Sequence, residues 1–264
     1  MNSERVNLYV GCGHHRMKGF THVEINIAKQ FKKGGDVGPP EIMADITKKI
    51  PLADKSVDII YSNETLEHLT YQELINHFLE CHRLIKIGGY VRMVVPDMDI
   101  MIKNYISKDE NLEIAKKESE ISPFLPVENH TDLFISRVLY HDHYYLHNYD
   151  TLSRALKKTG FSKIKQVGPG ETSYKEVSEE LFKAEKDTLK FNLIIEAERH
   201  HENPIVTRYF SKKPKYFFLK ILAETFNIKI TKYNNRKPTF PSHLWFLEKF
   251  QILKSLIKKI SFFN

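Results

Sequence analysis

The sequence predicts an α/β protein: a mostly parallel sheet, helices on both faces, and a basic helical extension at the carboxyl end. Three observations carry the prediction. Short apolar runs rich in β-branched residues recur along the first 200 residues, helical patterns separate several of them, and the first run ends on a glycine turn. Val6 to Val10, Phe20 to Ile25, Ile42 to Ala44, Val57 to Tyr61 and Tyr90 to Val95 read as buried parallel strands. Tyr71 to Lys86 places Leu74, Ile75, Phe78, Leu79 and Leu84 at helical spacing, and Gly88-Gly89 is expected to stop that helix. Tyr149 to Thr159 reads as a second helix ended by Gly160, which feeds a strand from Phe161 to Val167. Phe191 to Arg199 reads as the last strand. A polar insertion with helical patches lies between Asp97 and Asn148, and no internal repeat is visible.

Chemistry enters at residues 6 to 25, VNLYVGCGHHRMKGFTHVEI. Gly11 and Gly13 permit the positive φ angles and close backbone approach that a ligand at a strand's carboxyl end requires. Glu24 ends the next run, where a carboxylate can accept two ribose hydroxyls. A Gly-x-Gly alone is weak, because strand-to-loop junctions carry glycine for turn geometry in many folds. A nicotinamide dehydrogenase would require the fuller Gly-x-Gly-x-x-Gly, and position 16 is Arg.

Downstream segments add weight. Ala44-Asp45-Ile46, then SVDIIYSNETLEHL at 56 to 69, then HRLIKIGGYVRMVVPD at 82 to 97 follow in that order. Together with the glycine turn they resemble class I S-adenosylmethionine-dependent methyltransferases, in particular the type 11-like group associated with polysaccharide biosynthesis, over roughly residues 5 to 199. The resemblance implies a Rossmann-like, doubly wound sheet of seven strands, the last one antiparallel, and S-adenosyl-L-methionine as cofactor. It further implies that Gly11, Cys12 and Gly13 pass under the methionine part of the cofactor and that Glu24 holds the ribose. Asp45 would face the adenine amino group with Ile46 against the ring, and Ser62, Asn63 and Glu64 would line the pocket. The insertion from 97 to 148 would build the acceptor pocket. Tyr9 stands where such enzymes usually carry Asp or Asn, which keeps open the alternative of a non-catalytic protein that retains the fold.

Methyl transfer gains mostly from aligning acceptor, methyl and sulfur, an effect worth up to about 7 to 11 kcal/mol in favourable systems. A base is needed only for a hydroxyl or a protonated amine, where it adds roughly two to four powers of ten. The candidates are His68, in Leu66-Glu67-His68-Leu69, and His141 and His143 in the group His141-Asp142-His143 with His147. The structural alternatives are that Glu67 and His68 only fix the loop, and that the second group caps the next helix. His-x-His beside a carboxylate suits zinc or manganese, but nothing in the sequence fixes a third ligand at a usual spacing, so no metal is expected.

Charge divides the chain. From His200 to Asn264 there are 13 Lys and Arg against 3 Asp and Glu, a net of +10, which leaves 27 − 30 = −3 for residues 1 to 199 and gives the +7 of the whole. Trp245 to Phe263 interleaves Trp245, Phe246, Leu247, Phe250, Leu253, Leu256, Ile257 and Ile260 with Lys249, Lys254, Lys258 and Lys259 at helical spacing. Such a helix packs on the core or a second subunit, as in a homo-oligomer, or lies in an anionic membrane interface, where each lysine contributes on the order of 1 kcal/mol. Nucleic acid is disfavoured as a partner, because the aromatics fall on the apolar stripe and offer no stacking platform among the cations, although a nucleic-acid-directed methyltransferase stays open as an alternative.

The chain divides accordingly into a methyltransferase-like domain at 1–199 and a basic extension at 200–264. With two cysteines, no apolar run long enough to span a bilayer and no signal-peptide pattern, the expectation is a cytoplasmic transferase, peripheral at the inner membrane face if the tail engages lipid. A sugar or glycan hydroxyl, or another small molecule, is the expected acceptor.

Overall fold

The computed structural model describes residues 5–25, 38–108, 112, 127–140, 143–186 and 191–200. The basic extension and His141 lie outside them. Among the described residues, β1 (Asn7–Val10), β2 (Thr21–Glu24), β3 (Ile42–Met43), β4 (Val57–Asn63), β5 (Ile85–Pro96), β6 (Ser162–Gln166) and β7 (Asn192–Glu198) form one sheet in the order β3-β2-β1-β4-β5-β7-β6. All neighbours pair in parallel except β7, which runs antiparallel to both β5 and β6. This is the Rossmann-like, doubly wound arrangement expected from the sequence. The strand order reverses between β1 and β4, the switch point at whose carboxyl ends folds of this kind bind their ligands.

The two faces are covered differently. On one, α1 (Tyr71–Leu84) and α4 (Tyr149–Lys158) pack aliphatic side chains such as Leu74, Phe78, Leu152 and Leu156 over Leu8, Ile60, Val91 and Ile195. A capping box of Thr70 and Glu73 starts α1, and one of Asn148 and Thr151 starts α4. On the other face, α5 (Lys175–Glu185) lays Val177 and Leu181 beside Tyr9, Tyr61 and Tyr90. The same face buries Arg92, whose five guanidinium hydrogens go to both oxygens of Glu185, to Glu196 and to the carbonyls of Gly168 and Glu171. Full satisfaction of the fork is what makes a charge at this depth tolerable.

Three details depart from the sequence reading. The helix α1 ends at Leu84, not at Gly88-Gly89, and Ile85 turns directly into β5 with φ −71° and ψ 138°. The two glycines instead lie inside the long strand. Gly88 has φ +85°, and a Cβ on Gly89 would stand 2.6 Å from the Asp58 carbonyl oxygen, so they admit the irregularity between β4 and β5. Secondly, α5 was not anticipated, because only Val177 and Leu181 on it are apolar and buried, too thin a stripe for periodicity to register. Thirdly, the second strand begins at Thr21 and not at Phe20, which with Met17 on the ten-residue loop after Val10 covers part of the tyrosine-lined face. The insertion holds α2 (Met98–Ser107) and α3 (His130–Ile135), whose Tyr105 and Phe134 rings stack 5.1 Å apart. No helix among the described residues is long and apolar enough to cross a membrane.

Candidate active site

The site is built at the carboxyl ends of β1, β2, β3 and β4. Gly11 and Gly13 take φ of +65° and +52°, the left-handed region that their sequence motif predicts. The Gly11 amide donates to the Val23 carbonyl at 2.9 Å, which ties the turn to β2. A Cβ on Gly11 would meet Thr65 Cγ2 at 2.2 Å, whereas one on Gly13 would meet nothing within 4 Å. Gly11 is therefore small because the β4 loop presses on it, and Gly13 leaves open space on its outer side. Thr65 Oγ1 lies 3.1 Å from the Gly11 carbonyl oxygen and 3.0 Å from that of Asn63, so one hydroxyl links the two loops.

Glu24, half-buried at the end of β2, accepts the Gly13 amide on Oε2 and the Ile25 amide on Oε1, each at 2.8 Å. Each oxygen keeps a further lone pair, so the carboxylate is oriented yet still able to receive two hydroxyls. Arg16 closes the turn from outside, donating to the carbonyls of Gly13 and His15 and to Gly38 across the loop. Cys12 is buried beside it, and burial pushes its thiol up to about 11, so it stays a thiol at neutral pH. Tyr9 is buried beside the turn, and its phenol feels the charges of Glu24 and Glu64. Its ring lies within the sheet-face core, 4.9 Å from Tyr61 and 6.0 Å from His22.

At the end of β3, Asp45 accepts from the Thr47 amide and hydroxyl and pairs with Lys48 at 2.9 Å. Burial opposes ionisation there, but these partners prevail and hold the carboxyl below its usual range. Ile46 is 8% exposed within the aliphatic core, and its carbonyl accepts from His77 Nδ1 at 3.0 Å. At the end of β4, Ser62 Oγ and Asn63 Oδ1 are buried without a hydrogen-bond partner. Unpaired polar atoms at the mouth of a parallel sheet are what a polar ligand supplies partners for. Glu64 follows with φ +51°, and Asn192 Nδ2 donates to its Oε1.

Beyond this row a short 3-10 turn, Leu66–His68, brings a second set of groups together. Glu67 is fully buried against Glu64, and neither of its carboxylate oxygens makes a hydrogen bond of regular geometry. Burial first, and the Glu64 charge second, push its acid up to about 9, so it holds its proton at neutral pH. His68, whose side chain is 42% exposed, places Nε2 3.9 Å from Glu67 Oε1. The His143 ring meets the His68 ring edge-on at 5.1 Å. The loop that carries His143 is stitched to the 3-10 turn, for the amides of Tyr144 and Tyr145 both donate to the Glu67 carbonyl, at 2.8 and 3.2 Å. His147 lies deeper, with its carbonyl bonded to the Met98 amide and its ring pushed down to about 4 by burial.

The structure thus joins the Gly11-Cys12-Gly13 turn to Glu24 directly and to the Ser62-Asn63-Glu64 segment through Thr65, with Asp45 and Ile46 on the loop that follows β3. Of the three candidate bases it brings His68 and His143 together. Sequence reasoning passed over Glu67 as a loop-fixing residue and Thr65 altogether. Only the short interval Glu64-Thr65-Leu66-Glu67-His68 hinted at either.

Residues 8–93, a third of the chain, match the family model described as a methyltransferase domain. No curated protein matches the chain. Among solved structures, it is similar to an S-adenosylmethionine-dependent methyltransferase from Archaeoglobus fulgidus, 16% identical over 75% of this chain and 87% of that one, with a TM-score of 0.43. It is also similar to the geranyl diphosphate C-methyltransferase of Streptomyces coelicolor, 14% identical over 74% and 72%, TM-score 0.40. Phosphoethanolamine N-methyltransferase 2 of Haemonchus contortus matches at 15% identity over 76% of this chain and 50% of that chain, TM-score 0.39. The domain match bears out the methyltransferase resemblance at the level of the domain, and with it S-adenosylmethionine as the cofactor.

Proposed function

We propose that this protein transfers a methyl group from S-adenosylmethionine to a hydroxyl of a sugar, a glycan or another small molecule. The observation that carries the reading is the cleft between β1 and β4, in a segment that matches a methyltransferase domain. Glu24 is aimed by two backbone amides, Gly13 opens beside it, and Ser62 Oγ and Asn63 Oδ1 lack partners. These residues fit the cofactor. Glu24 would take the ribose hydroxyls, the Gly11-Cys12-Gly13 backbone would run under the methionine part, and Asp45 would meet the adenine edge. The bound sulfonium supplies an activated methyl, so the chain's own contribution is alignment, exclusion of water and handling of the acceptor's proton. The groups on the acceptor side are Glu67, His68 and His143, and the start of α2 is tied to the same segment through the Met98 amide on the His147 carbonyl.

The choice of a hydroxyl acceptor rests on those imidazoles, since a hydroxyl must lose its proton during attack. We read residues 1–199 as the catalytic domain and 200–264 as an appendage that docks the enzyme on an anionic membrane surface carrying its acceptor. Calorimetry with S-adenosylmethionine, S-adenosylhomocysteine and NAD tests the enzyme reading: micromolar binding of the first two and none of NAD is expected. Binding of none of the three leaves a scaffold that keeps the fold. Sedimentation with anionic liposomes tests the appendage, and binding unchanged by deletion of residues 240–264 would retire that part alone.

A further inference from the structure

We infer that Glu67, His68 and His143 form a binding site for a first-row divalent cation, manganese or zinc, whose open positions receive the acceptor hydroxyl. The role assigned to the cation rests on the methyltransferase reading; the site itself does not. One ligand atom from each residue, a carboxylate oxygen and two imidazole nitrogens, can be chosen so that all three lie within 4.8 Å of one another. Ligands bonded at about 2.1 Å stand at most about 4.2 Å apart, so a small rotation of the half-exposed His68 brings the set to bonding distance. Two imidazoles and one carboxylate on one side of an ion, with positions left open, are a donor set suited to zinc, manganese or iron chemistry.

A second observation points the same way. Glu67 is fully buried, neither of its oxygens makes a hydrogen bond of regular geometry, and its nearest cationic partner is His68, 3.9 Å from Oε1, with His143 beside it. Burying a carboxyl beside the second carboxyl of Glu64 costs stability, and a cation held at that point would offset the cost. The geometry is also held in place. Glu67 and His68 sit on one 3-10 turn, and the His143 loop is fixed to that turn by the amides of Tyr144 and Tyr145 on the Glu67 carbonyl. Three residues earlier, Thr65 bonds the glycine turn, so the set lies one turn of chain from the cofactor cleft.

The step balances without a further reagent. The acceptor oxygen binds the cation and its O–H proton passes to solvent water on the open side by His68. The oxygen lone pair then forms the O–CH3 bond as the CH3–S bond breaks with its electrons on sulfur, leaving a methyl ether and S-adenosylhomocysteine. A cation lowers the pKa of a bound hydroxyl as it does that of bound water, from about 15.7 to about 7 in the best case.

The test uses the full-length, tag-free protein after chelator treatment, titrated calorimetrically with MnCl2 and separately with ZnCl2, and in parallel with S-adenosylhomocysteine. One equivalent of cation should bind, at least tenfold more weakly in Glu67→Gln and in His143→Gln, while S-adenosylhomocysteine affinity stays within twofold and reports that both variants are folded. Absence of stoichiometric binding by the unmodified chain overturns the site, and so does binding that both variants retain, which would locate the ion elsewhere. Cation binding without S-adenosylhomocysteine binding sinks the methyltransferase reading and leaves the site standing.

Discussion

The loop after β1 and the loop after β4 face the same cleft, yet they are held by different physics. The first is closed over a short stretch of sequence: Gly11 bonds Val23, Gly13 bonds Glu24, and Arg16 returns to the carbonyls of its own turn. The second is held by partners far along the chain. Glu64 is met by Asn192, and Glu67 by the amides of Tyr144 and Tyr145 and the ring pair of His68 and His143. A loop closed locally writes itself into sequence spacing, whereas one closed by distant segments does not.

The largest expected effect breaks the contact through which the two loops meet. Gly11→Ala forces a side chain into φ +65° and puts its Cβ 2.2 Å from Thr65 Cγ2. Left-handed strain and overpacking cost about 1–3 kcal/mol each, so a loss of about 4 kcal/mol by urea unfolding is expected, together with loss of S-adenosylhomocysteine binding. Thr65→Ala in the same chain should recover part of it, a coupling of about 0.5–3 kcal/mol for residues in contact. A double variant no better than Gly11→Ala would show that the loops are independent.

Acid should separate the two regions next. His147, on the distant segment that closes the second, is buried with its pKa lowered to about 4, against about 6.5 for an unfolded chain. The folded state therefore binds fewer protons than the unfolded state between these values, so stability falls as pH drops from about 6.5 to about 4, by up to about 3 kcal/mol. His77, which holds the Ile46 carbonyl under α1, is lowered to about 4 in the same way and adds its own loss. Urea unfolding of His147→Asn across that range should show a shallower slope than the unmodified chain. Equal slopes would mean that His147 is not kept neutral by its burial.

These contrasts explain what was legible. The strands and the glycine turn could be read because their signals are local: period, β-branching, and glycine where φ is positive; the antiparallel course of the last strand came from the family resemblance alone. Glu24 could be read because it ends a strand. That Glu67, His68 and His143 come together could not be read, since 75 residues separate His68 from His143, and no spacing rule spans an insertion whose path is set by tertiary packing. Helix α5 escaped for a related reason, for much of its anchoring is a buried ion pair between Glu185 and Arg92, 93 residues apart.

A smaller effect tests the first loop by function. Glu24→Ala removes the acceptor for the Gly13 and Ile25 amides and the expected ribose contact. Hydrogen bonds to a charged group are worth about 1.5–3 kcal/mol, so S-adenosylhomocysteine should bind about 10- to 100-fold more weakly by calorimetry. An unchanged affinity would leave the carboxylate as a purely structural tie of the turn.

The smallest effect belongs to a feature that is local and yet sits at the end of the second loop. Thr70 caps α1 through the Glu73 amide, while the Glu73 side chain returns to the Thr70 amide. Thr70→Ala should cost about 1 kcal/mol by thermal or urea unfolding, the usual value of a cap. S-adenosylhomocysteine and cation affinities should not move, because the 3-10 turn at Leu66–His68 is positioned by Thr65 and by the Tyr144 and Tyr145 amides, and not by the helix that follows it. Should cation binding weaken along with stability, the second loop is positioned by α1 after all, and its geometry is as much a local property as that of the first.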